Sequence, residues 1–127
     1  MSVKIKIVTA SAGEILAEID EARNPRTVRA VLAALPIEST VNRWGEEVYF
    51  STQVRADEEK AREEVEVGEI GFWPPGRALC VFFGRTPAST GAKPRAASPV
   101  NVLGRVLGDP KVFGKTRGGE KIRVERA

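Results

Sequence analysis

The segment "ALCVFF", Ala78 to Phe83, is the feature that most constrains the fold, because it is apolar at every position. Side chains alternate between the two faces of a strand, so both faces of this segment must be covered by other parts of the chain. A small barrel or sandwich meets that requirement, with one face in the interior. The preceding "PPGR" predicts a type II turn with Pro75 and Gly76 at its centre.

Period-2 alternation of apolar and polar residues predicts several further strands. "VKIKIV" and "GEILAEID" form a hairpin across the turn "ASAG", residues 10–13. "STVNRW" and "EVYFST" form a second hairpin around Gly45 to Glu47. Later strands are predicted in "EVEVGEIGF", from Val100 to Leu107 and from Glu120 to Arg126.

One α-helix is predicted in "NPRTVRAVLAALP", where apolar residues recur at helical spacing. Asn24 is suited to the N-cap, Pro25 to the first helical position, and Pro36 ends the run. A short second helical turn is expected from Lys111 to Gly114. Many strands with one early helix favour an all-β barrel or sandwich with helical lids, and we expect the main helix to cover the outer face of the "ALCVFF" strand.

The composition is that of one soluble domain spanning residues 1–127, with 42% hydrophobic and 29% charged residues. No apolar run approaches the roughly 20 residues that cross a bilayer, so no membrane partner is expected. The first residues alternate instead of forming an apolar leader segment, which predicts a cytoplasmic location. The formal net charge is +3, and the basic loop from Lys93 to Arg95 lacks interleaved aromatics, so no nucleic-acid partner is expected.

The chain has no histidine and a single cysteine, Cys80. These counts exclude the usual zinc ligand sets and catalytic triads of the Ser-His-Asp or Cys-His kind, and we expect no metal and no cofactor. Cys80 is expected to be a small buried thiol. Glu46 and Glu47 are expected to be solvated charges in a turn. "GDPKVFGKT" fails as a phosphate loop because five residues separate its glycines, where four are required.

Two motifs carry a resemblance to a known family. "WGEEVYF", Trp44 to Phe50, and "WPPGRALCVFFG", Trp73 to Gly84, resemble segments of the small prokaryotic cyclophilin-like proteins of unknown function. The helix at "NPRTVRAVLAALP" and the later "NVLGRV" follow the order of landmarks in cyclophilins. The resemblance implies a mainly β fold: a cyclophilin-like closed β-barrel of about eight antiparallel strands, with one main α-helix and a short second helix.

The resemblance also locates the prolyl isomerase residues of cyclophilins on this chain. The isomerase arginine corresponds to Arg43, and the second phenylalanine of the Phe-Phe pair to Phe83. Val100 takes the place of the pocket histidine, and Ser51 and Val81 take the places of the pocket glutamines. Two of the five positions therefore keep the family residue, which predicts a degenerate isomerase site.

Three functions remain open at this point. The favoured one is binding of a small molecule or an extended, proline-containing peptide in a pocket lined by five aromatic residues: Trp44, Tyr49, Phe72, Trp73 and Phe83. The alternative is a peptidyl-prolyl cis-trans isomerase that uses Arg43 as its catalytic residue. The third is a homo-oligomer, such as a homodimer, whose aromatic residues are buried at a subunit contact.

Overall fold

A computed structural model describes residues 2–127, which form ten strands, one α-helix and two short 3₁₀-helices. The α-helix, α1, spans Pro25–Ala34, and the 3₁₀-helices span Pro74–Gly76 and Pro110–Lys115. The strands are β1 Ser2–Thr9, β2 Gly13–Asp20, β3 Ile37–Thr40, β4 Asn42–Arg43, β5 Glu47–Ser51, β6 Arg62–Glu64, β7 Glu69–Trp73, β8 Ala78–Phe82, β9 Arg95–Val106 and β10 Lys121–Arg126. No helix among residues 2–127 has the length and the apolar character that a membrane crossing requires.

The strands form one antiparallel sheet in the order β3-β10-β1-β2-β9-β7-β8-β5-β4, with β6 paired to β9 beside this path. Its two end strands, β3 and β4, are consecutive in the chain and are separated only by Val41. The Val41 N–H donates to the Glu120 carbonyl at 2.8 Å, and its carbonyl accepts from the Gly119 N–H at 2.8 Å. These two bonds tie Val41 to the segment just before β10. The two ends of the sheet are therefore joined by the chain at Val41, and no ladder of hydrogen bonds pairs β3 with β4.

The predicted class is confirmed: the protein is mainly β and antiparallel, with one main α-helix and a short second helix at Pro110–Lys115. The strand number and the closure differ from the expectation, since ten strands form and the sheet does not close. The difference in strand number has a local cause. β4 and β6 are only two and three residues long, and short strands of this kind leave little alternating pattern in a sequence.

The interior of the curved sheet contains the main hydrophobic core, which includes Phe72, Val81 and Phe83. α1 packs against β2 and β9 and contributes Val28 and Val31 to this core. The expectation that α1 covers the outer face of β8 is therefore wrong. The helix instead covers the interior core, because its apolar face, which includes Val28 and Val31, packs against the inward side chains of the sheet.

A second apolar cluster covers the outside of β8, and we refer to it as the outer cluster. Its six buried members come from β8, β9 and the segment between β6 and β7: Val65, Cys80, Phe82, Ala96, Val100 and Val102. Since Leu79 and Val81 face the interior core while Cys80 and Phe82 face the outer cluster, both faces of β8 are buried. The two-sided burial predicted from the sequence is confirmed.

The turn before β8 is not the expected type II turn. Residues 74–77 form a 3₁₀ turn in which the Arg77 N–H donates to the Pro74 carbonyl at 3.2 Å. The residue with a positive φ is Arg77, at 47°, and not Gly76. Gly76 is required for another reason, its contact with the Trp73 ring, which is described with the site below.

The N-terminus of α1 is capped from a distant part of the chain. Asn24 makes no side-chain cap; its side chain donates to the Val102 carbonyl and accepts from the Lys60 N–H. The Glu59 carboxylate instead accepts from the N–H groups of Arg26 and Thr27, at 3.2 and 3.1 Å. These amides have no partner within the helix, so Glu59 satisfies the donors that an N-cap side chain normally satisfies.

The capping contacts hold Glu59 in its ionised form. Its side chain is only 9% exposed. Burial raises the pKa of the Glu59 carboxyl. Hydrogen bonds from Thr27 and Arg26 and the nearby Arg26 guanidinium together lower the pKa by more, so the net pKa lies below its ordinary value. The charge-rich segment around Glu59 is thereby fixed to the helix.

We predict that Glu59→Ala lowers the free energy of unfolding by about 0.5–2 kcal/mol, the usual effect of removing a helix cap. Glu58→Ala is the matched control, because Glu58 is exposed and makes no capping contact. Since the native pKa of Glu59 is lowered, its contribution is complete above the unfolded-state value of about 4.3 and is lost as the pH falls through the native value. Urea unfolding at pH 7 and at acidic pH measures this, and equal losses in the two variants would contradict it.

Candidate functional site

The hairpin from β4 to β5 places Trp44 and Glu47 opposite each other. The Trp44 N–H donates to the Glu47 carbonyl at 3.0 Å, and the Glu47 N–H donates to the Trp44 carbonyl at 3.2 Å. The two-residue loop between them begins with Gly45, whose φ of 60° favours glycine. A β-carbon at Gly45 would also lie 2.8 Å from Cδ of Pro87. The turn therefore holds the two side chains on one face of the hairpin.

The register of the sheet brings Tyr49 and Trp73 to the same face. Tyr49 follows Glu47 by two residues and pairs with Cys80, which in turn pairs with Gly71 of β7. Trp73 follows Gly71 by two residues, so it also points outward. Tyr49 and Trp73 pack against the outer cluster from opposite sides of β8. Tyr49 of β5, Trp73 of β7 and Trp44 of the β4–β5 turn thus surround one part of the outer surface.

A cavity of about 240 Å³ lies above the outer cluster at this position. It is lined by three aromatic residues, one carboxylate and three small apolar residues: Trp44, Glu47, Tyr49, Trp73, Ala96, Ala97 and Val100. The volume is below the roughly 300–1,000 Å³ of pockets for drug-sized ligands. The cavity therefore suits a compact group.

The Trp73 ring is held in place by two contacts. A β-carbon at Gly76 would lie 2.6 Å from Cε3 of the indole, so the ring packs directly on the glycine backbone. The indole Nε1 donates to Oγ of Ser98 at 2.6 Å. Because that N–H is already bonded, Trp73 contributes its ring to the cavity and not a hydrogen-bond donor.

Glu47 is the one carboxylate of the cavity, and it is only 5% exposed. Burial raises the pKa of its carboxyl group to about 7, and the nearby Cys80 thiol, which itself donates to the Ala78 carbonyl, lowers it by a smaller amount. Among residues 2–127, no lysine or arginine forms an ion pair with Glu47. Since a thiol is a weak donor, the carboxyl group faces the cavity with little to balance its charge.

The expectation that both glutamates of the turn are solvated is wrong for Glu47. Glu46 is partly exposed and lies 3.8 Å from the Lys111 Nζ, whereas Glu47 begins β5 and is buried. Strand alternation explains the difference, since adjacent residues point to opposite faces. The same rule places Glu47 on the face of Tyr49 two residues later, a signal that the sequence analysis missed.

Cys80 lies beneath the cavity and is buried, as the sequence predicts. Burial raises the pKa of its thiol, and the charge of Glu47 raises it further. A thiol that stays protonated is a poor nucleophile, so Cys80 serves as part of the outer cluster.

Phe72 and Phe83 are separate from the three aromatic residues of the cavity. Both are fully buried in the interior core, so the grouping of five aromatics expected from the sequence is not formed. Phe72 and Trp73 are neighbours in β7 and therefore point to opposite faces of the sheet. Phe83 stacks instead on Phe113, with ring centroids 6.4 Å apart.

The Arg43 guanidinium is used for structural contacts. Nη1 donates to the Thr116 carbonyl at 2.9 Å and to the Gly114 carbonyl at 3.4 Å, and Nη2 donates to the Gly45 carbonyl at 3.3 Å. The guanidinium carbon lies 5.2 Å from the centroid of the Phe83 ring, a cation–π contact. Arg43 does not line the cavity.

The other positions that correspond to cyclophilin pocket residues are also dispersed. Val100 lines the cavity, Val81 lies in the interior core, and Ser51 is exposed at the end of β5. Arg43 and Val100 therefore do not share one lined pocket, and the residues that correspond to the isomerase set do not form a single groove.

Comparison with known proteins agrees with this architecture. Residues 2–125 match the family model described as cyclophilin-like. The chain belongs to the cyclophilin-like family. It is similar to a hypothetical protein from Archaeoglobus fulgidus determined in solution, with 45% identity and a TM-score of 0.85. That match covers 99% of this chain and 95% of the other. Among curated proteins, none matches this chain.

For this cyclophilin-like protein, the raised pKa of Glu47 predicts a specific pH dependence of stability. The native state holds the Glu47 proton more tightly than the unfolded state, whose pKa is about 4.3. The stabilising contribution is therefore complete below that value and is lost as the pH rises through about 7. Glu47→Gln, which mimics the protonated form, should gain about 2.5 kcal/mol relative to the wild type between pH 5 and pH 8.

Chemical denaturation of both proteins at the two pH values measures this difference. Glu46→Gln is the matched control, since Glu46 is the neighbouring carboxylate and is partly exposed. Parallel pH profiles for the wild type and Glu47→Gln would show that Glu47 is solvated, contrary to its position in the cavity.

Proposed function

We propose that this cyclophilin-like protein binds a small organic molecule in the cavity between Trp44, Tyr49 and Trp73, and that it is not an efficient prolyl isomerase. The observation that carries the proposal is the buried Glu47 carboxyl group, which lines an apolar cavity without a cationic partner. An apolar pocket with one convergent polar group and a perturbed pKa is the usual form of a ligand site.

The energetics of Glu47 support a binding role. A charged group that is buried without a partner costs free energy, which a purely structural protein would avoid by placing an apolar residue there. The environment of Trp44 is also unfavourable, since its large apolar ring remains partly exposed to water beside the cavity. A bound ligand would cover the aromatic surface and supply Glu47 with a partner.

The contacts of Arg43 support the second half of the proposal. Rotation about a prolyl bond has a barrier of about 18–20 kcal/mol, and catalysis must stabilise the twisted transition state more than the planar ground state. A guanidinium can do so only with free donors aimed into a groove. The Arg43 donors contact three backbone carbonyls, and its family partner Phe83 is fully buried.

Nuclear magnetic resonance of the two tryptophan side chains tests the binding proposal. The chain contains only Trp44 and Trp73, so two indole N–H signals report directly on the cavity. In a screen of small fragments, we expect at least one to shift both signals in a saturable way. Ala97→Phe should abolish the shifts by filling the cavity, while Ala92→Phe should not, because Ala92 is an exposed loop residue outside the cavity.

Two outcomes would contradict the proposal. The first is rapid cis/trans exchange of an Ala-Pro test peptide that is lost in Arg43→Ala, which would establish the isomerase. The second is a failure of every fragment to shift the indole signals. If sedimentation then shows a dimer that Ala97→Phe dissociates, the aromatic surface is a subunit contact.

A further inference from the structure

We propose that the ligand of the cavity is a small organic ammonium ion, held by the Glu47 carboxylate and by the rings of Trp44, Tyr49 and Trp73. The inference rests on the proposed function and adds the chemical class of the ligand. It stands on three observations: the kind of side chains around the cavity, the unbalanced charge of Glu47, and the volume.

Aromatic rings make up three of the seven residues that line the cavity. A ring attracts a cation through the negative charge on its face, and this attraction grows as water is excluded. Several aromatics around one buried site are the usual means of binding quaternary ammonium groups. Trp73 is suited to this role because its N–H is already bonded to Ser98, which leaves the ring as its contribution.

The charges near the cavity favour a cation over an anion or a neutral ligand. Tyr49 and Cys80 are the other titratable groups at Glu47, and neither is positively charged. The arginines on β4 and β9 have other partners: Arg43 donates to backbone carbonyls, Arg95 pairs with Glu63, and Arg105 pairs with Glu18. The adjacent Glu46 lies near Lys111, and that ion pair is outside the cavity. A cation in the cavity would therefore meet one buried negative charge and no positive one. An anion would be repelled by the ionised Glu47 carboxylate.

The volume limits the size of the ammonium ion. The cavity holds about 240 Å³, the share of roughly eight water molecules at about 30 Å³ each. A methylated ammonium head group fits this space, whereas several residues of an extended peptide do not. The compact ligand distinguishes this inference from binding of a proline-containing peptide.

Binding of a cation should depend on the pH in a defined direction. Of the two protonation states of Glu47, only the ionised carboxylate adds charge attraction to that of the rings, and burial raises the pKa of this group to about 7. Affinity should therefore increase with pH and be about tenfold higher at pH 8 than at pH 6, by proton linkage. A neutral ligand of the same shape should lack this increase, because it gains nothing from the ionised form.

Choline and its neutral carbon isostere 3,3-dimethylbutan-1-ol provide a matched pair of probes. We expect choline to shift the indole signals of both tryptophans and to bind the wild type at least tenfold more tightly than the isostere at pH 8. Glu47→Gln should lose this preference and the pH dependence while still binding the isostere. Glu46→Gln is the control that should behave as the wild type does.

Trp44→Leu provides a second variant that does not depend on the charge. Trp44 is partly exposed, and a leucine keeps an apolar side chain in the hairpin. The variant should weaken choline more than the isostere, since only the cation gains from the ring. Thermal unfolding of both variants verifies that the fold is intact.

The outcomes separate this inference from the proposed function. Equal affinities for choline and the isostere, unaffected by Glu47→Gln, would overturn the ammonium inference and leave a ligand site for neutral molecules. No response to choline, with other fragments still shifting the indole signals, would also overturn the inference alone. No response to any fragment would overturn the proposed function and the inference together.

Discussion

Burial of both faces of β8 is the constraint on which the rest of the structure depends. The inward face joins the interior core, and the outward face, with Cys80 and Phe82, requires a second layer of apolar residues. β9 and the segment between β6 and β7 supply that layer. The second layer is incomplete where the β4–β5 hairpin meets β9, and the cavity lies at this margin. The requirement to cover an apolar strand thus produces a small apolar recess on the outside of the sheet.

The strand pattern, the main helix and the two-sided burial of β8 could be predicted from the sequence, because each depends on local periodicity. The capping of α1 could not, since Glu59 is 32 residues from Thr27 in the sequence and only the tertiary fold brings them together. The grouping of aromatic residues around the cavity was predicted in part. Trp44, Tyr49 and Trp73 line one cavity, whereas Phe72 and Phe83 were grouped with them by residue type and not by strand face.

The comparison with cyclophilins illustrates that a fold and its site are separate properties. The chain keeps the family architecture over residues 2–125. Arg43, which the resemblance to cyclophilins aligns with the isomerase arginine, supports the backbone near Thr116, and Phe83 is buried. The side chain in the most unusual environment is the buried carboxyl group of Glu47, which is not among the five positions that correspond to cyclophilin isomerase residues. A search for function by motif alone therefore points to Arg43, while the physical environment of the side chains points to Glu47.

The most direct test is a measurement of the Glu47 pKa in the native protein. Selective carbon-13 labelling of glutamate, with the side-chain carboxyl signal of Glu47 assigned by its loss in Glu47→Gln, allows this one group to be followed by NMR across the pH range. The account predicts a midpoint near 7, since the carboxyl group is buried in an apolar cavity without a cationic partner. A midpoint near the ordinary value of about 4.3 would show that Glu47 is solvated and would contradict the account.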